Sequence, residues 1–394
     1  MSYSVFDKKE QCCGCSACLH ACPKGAIAMM ADEEGFLYPS IDAEKCVECG
    51  LCKKICAFQK EQPSLEEAPL VYAVKASDAI REQSSSGGAF TALSDCILKR
   101  GGVVYGSAFD EHLKAVHIRA ETEGERDRCR GSKYSQSEMG DIFPKVKKDL
   151  KAGREVLFTG TTCQTAALRE YLSKENTENL YTADIICHGT PSPKLFQEYI
   201  GHIEKVRGKK IAAYYHRPKD LGWRGGEKLI YTDGKAESGT TLIDAWRNIF
   251  YGDLALRPSC YECRYASPCR PSDITIADFW GIDEYAPAFN DGKGVSLVLI
   301  SSEKGKSLFE ECKPALAFTE KKMEEAVVKN PNLQNSTKYP KGREEFWRIY
   351  LKGGIGAIMA VYGKDNRKQK IKYMIKRVIR GLGLMKLAKK ILKK

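Results

Sequence analysis

No apolar run in this sequence approaches the roughly 20 residues that a membrane-spanning helix needs. The opening MSYSVFDKKE also lacks the apolar stretch of a secretory signal. Together these absences argue against a spanning or exported protein and set the expectation of a soluble, cytoplasmic one. Acidic residues are nearly missing from one stretch: residues 364–394 hold thirteen Lys and Arg against a single acid, Asp365. The formal charge of +12 is therefore confined to that tail, and the remainder of the chain is neutral. No aromatic interleaving or binding motif accompanies the basic run, so a nucleic-acid partner is not expected.

Cysteine, by contrast, is abundant, with seventeen in 394 residues. In a chain with no export signal, such usage points to metal ligation or redox work rather than disulfides. Cys12, Cys15, Cys18 and Cys22, followed by Pro23, fit C-x2-C-x2-C-x3-C-P. Cys46, Cys49, Cys52 and Cys56 repeat the spacing, with Ala57 at the proline position. This is the pattern of a two-cluster bacterial ferredoxin, in which the fourth cysteine of each run crosses to the other cubane. Cys12, Cys15, Cys18 and Cys56 are expected to hold one 4Fe-4S cluster, and Cys46, Cys49, Cys52 and Cys22 the second. Zinc also uses C-x2-C pairs but has no need of two runs of four at identical spacing. Gly14, Ser16, Ala17 and Gly50 are small enough to let backbone amides approach inorganic sulfide. Cys13 is out of phase, an extra thiol that the pattern leaves as a spectator.

The chain is too long for one ordinary core, and its composition divides it. A ferredoxin module over 1–60 ends at the polar, proline-flanked EQPSLEEAP. From Val71 onward strand-like and helix-like segments alternate, which argues an α/β domain with a largely parallel sheet. VYAVKAS, GGVVYGSAF, KAVHIRA, EVLFTG and YTADIIC read as strands. The segments after SSSGG, after TTCQ and after HGTPSP read as helices. The fold class is thus α+β for the module and α/β for the body. Ser84 to Gly88 open a helix whose free N–H groups favour a phosphate, although the same residues serve as a plain cap.

Cys163 and Cys187 each follow a buried strand directly, at the carboxyl edge where parallel sheets place their sites. Cys260 and Cys263 form a further C-x2-C pair, with Cys269 six residues on. Four of these five thiols can hold a third iron–sulfur cluster or a zinc ion. Cys96 and Cys312 lie in apolar helical surroundings and read as core. In the tail, Ile371, Ile375, Val378, Leu382 and Met385 recur on one helical face. Lys and Arg fill the other face, and a basic amphipathic helix of this kind suits an anionic membrane surface.

SSSGGAFTAL, GSKYSQS, VLFTGTTCQTAALR, DIICHGTPSPKLF, LGW and RPSCYEC with SDITIADFWG follow the ferredoxin module in that order. In this the chain resembles the coenzyme F-420 hydrogenase/dehydrogenase beta-subunit family, carrying an N-terminal two-cluster 4Fe-4S ferredoxin domain. The likeness runs over about residues 1–345 and extends to plant hydroxymethyl-chlorophyll reductase. It implies an iron–sulfur flavoprotein oxidoreductase that uses FAD between clusters and an organic two-electron partner, with its FAD/iron–sulfur domain over 70–345. Low-potential donors such as ferredoxin and a small organic substrate, deazaflavin-like or related to surface polysaccharide, are the implied partners. The resemblance marks Ser85, Ser86, Gly87, Gly88, Lys133 and Tyr134 as FAD contacts. It marks Cys163, Cys187, Cys260 and Cys263 as the further cluster ligands. Thr162 stands where the family usually has proline, and Cys269 matches no family position. Lys133 and His188 are candidate proton donors or structural hydrogen-bonders, and Asp278 an orienting or turn residue. The contrary reading is a non-catalytic iron–sulfur relay or adaptor whose α/β body docks a partner; the tail (364–394) reads as a membrane-facing helix or as a solvated one docked on the protein or a partner.

Overall fold

A computed structural model of the chain describes residues 4–61 and 68–363. The tail of 364–394, with its expected amphipathic helix, lies outside the described residues.

The N-terminal module is built on an antiparallel hairpin, β1 (Ile27–Ala31) with β2 (Leu37–Ile41), in register Ile27↔Ile41. A short helix carries the third cysteine of each motif, Cys18 in Ala17–Ala21 and Cys52 in Leu51–Lys54. The two motifs share a backbone device. The residues flanking the second cysteine take left-handed φ, Gly14 at 69° and Ser16 at 65° in one run, Glu48 at 50° and Gly50 at 76° in the other. Left-handed residues turn successive N–H groups to one side and form an anion-binding concavity. That two of the four are not glycine means the loops hold the conformation against its steric cost.

The body is organised on an eight-stranded sheet. Its strands are β3 (Leu70–Lys75), β4 (Val103–Phe109), β5 (Ala115–Ala120), β6 (Val156–Thr161), β7 (Leu180–Ile185), β11 (Ile274–Asp278), β12 (Ser296–Ile300) and β13 (Ala317–Lys321). β8 (Ile211–His216), β9 (Glu227–Tyr231) and β10 (Ala236–Ser238) form a separate antiparallel sheet. The large sheet has the order β13-β3-β12-β11-β7-β6-β4-β5. Only β4, β6, β7 and β11 pair in parallel with one another; β5 at one edge and β12, β3 and β13 at the other pair antiparallel with their neighbours. The sheet is therefore mixed, not largely parallel as the alternation suggested. Composition reports burial on both faces, which β12 has at all five residues, but not strand direction.

Helices cover both faces. Ala89–Lys99 and Glu303–Cys312 bury Leu93, Ile97, Leu308 and Phe309 against one. Ile142–Lys151 and Thr162–Tyr171 bury Phe143, Val146 and Leu168 against the other. Cys96 and Cys312 sit in the first of these cores, their Sγ atoms 2.9 Å apart. Ala17 of the ferredoxin module enters the second core, and His20 Nε2 meets Gly140 O at 2.7 Å, so the module is seated on this face. An aromatic cluster of Phe196, Tyr199, Trp246, Phe346 and Trp347 joins the small sheet to the helical run Arg343–Tyr362. Packing thus continues past residue 345, with Ile358 and Met359 also buried.

Candidate functional site

Among the described residues, three cavities are each lined by four or more cysteines. The first is lined by Cys12, Cys15, Cys18 and Cys56, beneath Val5, Phe6 and Met29. Cys22, Cys46, Cys49 and Cys52 line the second, with Ile27, Ile41 and Gly50. Each run thus contributes three cysteines to one cavity and one to the other. The left-handed turns described above supply inward N–H groups, and the thiol set with its apolar cover suits a cubane.

The third cavity receives Cys163, Cys187 and the Cys260/Cys263 pair from three segments distant in the chain. Strands β6 and β7 are adjacent and in register, Thr161↔Ile185. Their carboxyl ends therefore deliver Cys163 and Cys187 side by side. Cys260 and Cys263 come from the short helix Pro258–Tyr261 and the turn after it. Cys260 Sγ is anchored to this edge by accepting from Thr190 N at 3.4 Å. Cys269 does not line the cavity; its neighbour Arg270 does. Arg270 is buried, pairs with Asp184 at 3.1 Å, and donates to Thr162 Oγ1 and to Ile185 O. Thr162 thus opens the helix Thr162–Tyr171 with an acceptor that a proline there would lack. Cys13 is no bystander in position. It is buried, and it lines both the first and the third cavities.

A larger cavity of about 460 Å3 adjoins the third one. Thr161, Gln164, Cys187, His188, Gly189 and Thr190 line both. Of the residues expected to touch FAD, Ser85, Ser86, Gly88, Lys133 and Tyr134 face this space. Gly87 does not. It is buried against the sheet, where a Cβ would come within 2.4 Å of Val74 O and Ser296 N, so packing demands the glycine. The serine hydroxyls are partly committed internally, Ser84 to Ile80 O at 2.7 Å and Ser86 to Val295 O at 3.0 Å.

The two candidate proton donors differ in their surroundings. Lys133 Nζ donates to the carbonyls of Arg128, Arg130 and Gly131 at 2.8–3.2 Å, and burial lowers it to about 8. Its ammonium is spent on closing its own loop. His188 stands on the shared wall, with Nε2 2.6 Å from Asp253 Oδ1. Asp253 is held in left-handed backbone at φ 61°, and the pair leaves the imidazole oriented and half-buried.

Sequence reasoning missed three lining features. Arg217, at φ 54°, binds Asp278 through both its terminal nitrogens at 2.8 and 3.0 Å, and lies over Trp280. Asp278 also accepts from Trp223 Nε1 at 2.6 Å, so its carboxylate holds two side chains, Arg217 and Trp223. Cys129 lines the same cavity and carries no motif. His117 ends a buried chain in which Gln164 Nε2 donates to Ser137 Oγ at 3.0 Å and Ser137 meets His117 Nδ1 at 2.9 Å. Its Nε2 donates to Thr159 O at 3.0 Å. Burial holds this imidazole neutral, lowered to about 4. The unfolded chain takes up a proton near pH 6.5 and the folded one only near 4. Stability is thus complete above about pH 6.5 and falls by about 3 kcal/mol as the pH drops through that window. His117→Gln, compared with wild type by chemical denaturation between pH 6.5 and 4.5, is expected to lack this part of the acid slope. An identical slope would mean that the ring titrates normally.

Comparison with known proteins places this architecture. Residues 71–143 and 153–326 match the N-terminal and C-terminal models of the coenzyme F420 hydrogenase/dehydrogenase beta subunit, and 11–60 match a 4Fe-4S dicluster domain. An uncharacterised ferredoxin of Methanocaldococcus jannaschii is 36% identical over 56 residues, 14% of this chain and 71% of that protein. A solved chain of the F420-reducing [NiFe] hydrogenase complex from Methanosarcina barkeri superposes with a TM-score of 0.46 at 18% identity. That match covers 76% of this chain and 93% of that one. The chain belongs to the coenzyme F420 hydrogenase/dehydrogenase beta-subunit family and carries a 4Fe-4S dicluster ferredoxin domain ahead of the family's two regions.

Proposed function

We propose that the protein is an iron–sulfur flavoprotein oxidoreductase in which three 4Fe-4S clusters connect a low-potential donor such as ferredoxin to FAD and an organic substrate. Cys12, Cys15, Cys18 and Cys56 are the ligands of one cubane, and Cys22, Cys46, Cys49 and Cys52 of the second. Cys163, Cys187, Cys260 and Cys263 are those of the third. The ferredoxin unit spans 1–60, and the family domain begins near residue 70.

One observation carries this reading. The third cysteine cavity and the 460 Å3 cavity share a wall of Cys187, His188, Gly189 and Thr190. One-electron and two-electron chemistry would thereby be neighbours. When bound, FAD supplies the conversion between single-electron and hydride transfer. The chain's own residues do the remainder. Ser85, Ser86 and Gly88 at the start of the helix Ala89–Lys99 face the cavity with its free N–H end. Tyr134 stacks on Phe250 at 4.3 Å and forms an apolar wall. His188, oriented by Asp253, is the residue placed to hold or move a proton beside the third cluster site. Lys133 is a loop-closing residue.

Iron, acid-labile sulfide and flavin per chain, on protein handled without oxygen, test the reading. About twelve irons and one FAD are expected. About eight irons and no flavin would make the protein a two-cluster relay. The basic run of 364–394 is assigned, on its sequence, to an anionic membrane surface. Deleting it is expected to abolish sedimentation with anionic vesicles and leave the visible spectrum unchanged; undiminished sedimentation would end that assignment.

A further inference from the structure

Six arginines are buried among the described residues: Arg81, Arg126, Arg217, Arg257, Arg270 and Arg343. Five have carboxylate partners, respectively Asp291, Asp95, Asp278, Asp184 and Glu34 for all but Arg257. Arg257 is 1% exposed and makes no ion pair among the described residues. Its Nε donates to Cys12 O at 2.6 Å, Nη1 to Gln136 Oε1 at 3.1 Å and Nη2 to Leu37 O at 2.9 Å. Tyr38 and Phe36 cover it, with ring centroids at 4.2 and 5.4 Å. Carbonyls, an amide and ring faces satisfy the guanidinium's hydrogens but leave its charge uncompensated. A buried charge without a counter-charge costs several kcal/mol.

Its position says where the counter-charge is. Nη2 lies 3.6 Å from Cys12 Sγ, in the first cysteine set. Arg257 also lines the third cavity, and Cys260 N donates to its carbonyl at 2.9 Å. The guanidinium is pressed against the ferredoxin loop so closely that a Cβ on Gly14 would stand 2.8 Å from Nη1. No Asp or Glu lines either cavity. Arg257 is in the wall of neither ferredoxin cavity; it reaches the first set through Cys12, and among the described residues it makes no hydrogen bond to Cys22, Cys46, Cys49 or Cys52. A cubane on four thiolates is anionic in every working state, and nearby charge is one of the controls on its potential.

We propose that Arg257 is the shared counter-cation of the first and third cluster sites, raising the reduction potential of both and leaving that of the second unmoved. It is a charge-compensating residue at the one junction between ferredoxin module and body where Cys13 lies between the two thiol sets. The inference rests on the three-cluster reading above.

The test is a redox titration followed by electron paramagnetic resonance on the full-length, cluster-loaded protein. Arg257→Met is expected to lower the midpoint potentials of two clusters and leave the third unmoved. Arg257→Lys, which keeps the charge, is expected to stay near wild type. Should Arg257→Met fail to retain iron, Gln136→Glu carries the same test, because it sets a carboxylate against Arg257 and neutralises it in place. Gln136→Glu is then expected to lower the same two potentials. Unchanged potentials in whichever neutralised variant loads, or equal shifts in all three clusters, would overturn the proposal. Iron per chain in the wild type decides the underlying reading separately: twelve irons with unmoved potentials would sink only the role of Arg257.

Discussion

Cys187→Ala is expected to remove about four of about twelve irons per chain, with sulfide falling in proportion and the ferredoxin clusters intact. Cys187 is delivered by the end of β7 to the cavity that also receives Cys163, Cys260 and Cys263. It faces the large neighbouring cavity as well. Removing it takes the proposed ligand from the shared wall, while the thiols of the other two cavities lie on separate loops. Cys269→Ala is the control. Cys269 does not line the cavity, and the variant is expected to keep the full iron content. Equal iron in Cys187→Ala and wild type would remove Cys187 from the ligand set.

Asp278→Ala is expected to destabilise the protein by about 3–5 kcal/mol, the cost of leaving a buried charge without its partner. Arg217 and Asp278 are joined by two hydrogen bonds, and their side chains are 6% and 13% exposed. Truncation would strand the guanidinium and deprive Trp223 Nε1 of its acceptor. It would also release Arg217 from its left-handed backbone, a conformation that the ion pair helps to hold. Because both residues face the large cavity, flavin retention is expected to fall with the melting temperature. Asp278→Asn keeps an acceptor for Trp223 and is expected to lie between the two. A change within about 0.5 kcal/mol, the range of an ordinary surface substitution, would show that the pair is not holding this wall.

The ferredoxin cysteines were legible because cubane ligation is largely local, and its spacing is written in two runs of eleven residues. The strand ends at Cys163 and Cys187 were legible for a similar reason, since a buried strand followed by a turn and a helix marks its own carboxyl edge. Direction was not. β12 is buried at all five residues, and nothing in its composition says that it pairs antiparallel with β11. Gly87 shows a different limit. A glycine beside a helix start reads as ligand-binding, whereas here the backbone of Val74 and Ser296 requires it.

Cys13 and Arg257 mark the boundary most clearly. In sequence Cys13 is a thiol out of phase, and Arg257 is the first letter of a motif valued for its cysteines. Folding brings Arg257 to Cys12 across 245 positions of the chain and sets Cys13 between two cysteine cavities. The sequence by itself determined the chemistry available, namely two ferredoxin runs, a further pair with two strand-end thiols, and a body of alternating elements. Only the tertiary structure decided which thiols meet, which arginine is left without a carboxylate, and that the third cysteine cavity opens on the large one. Local spacing specifies ligands, but a charge balance or a shared wall is a property of segments distant in the chain, and no pattern within one segment encodes it.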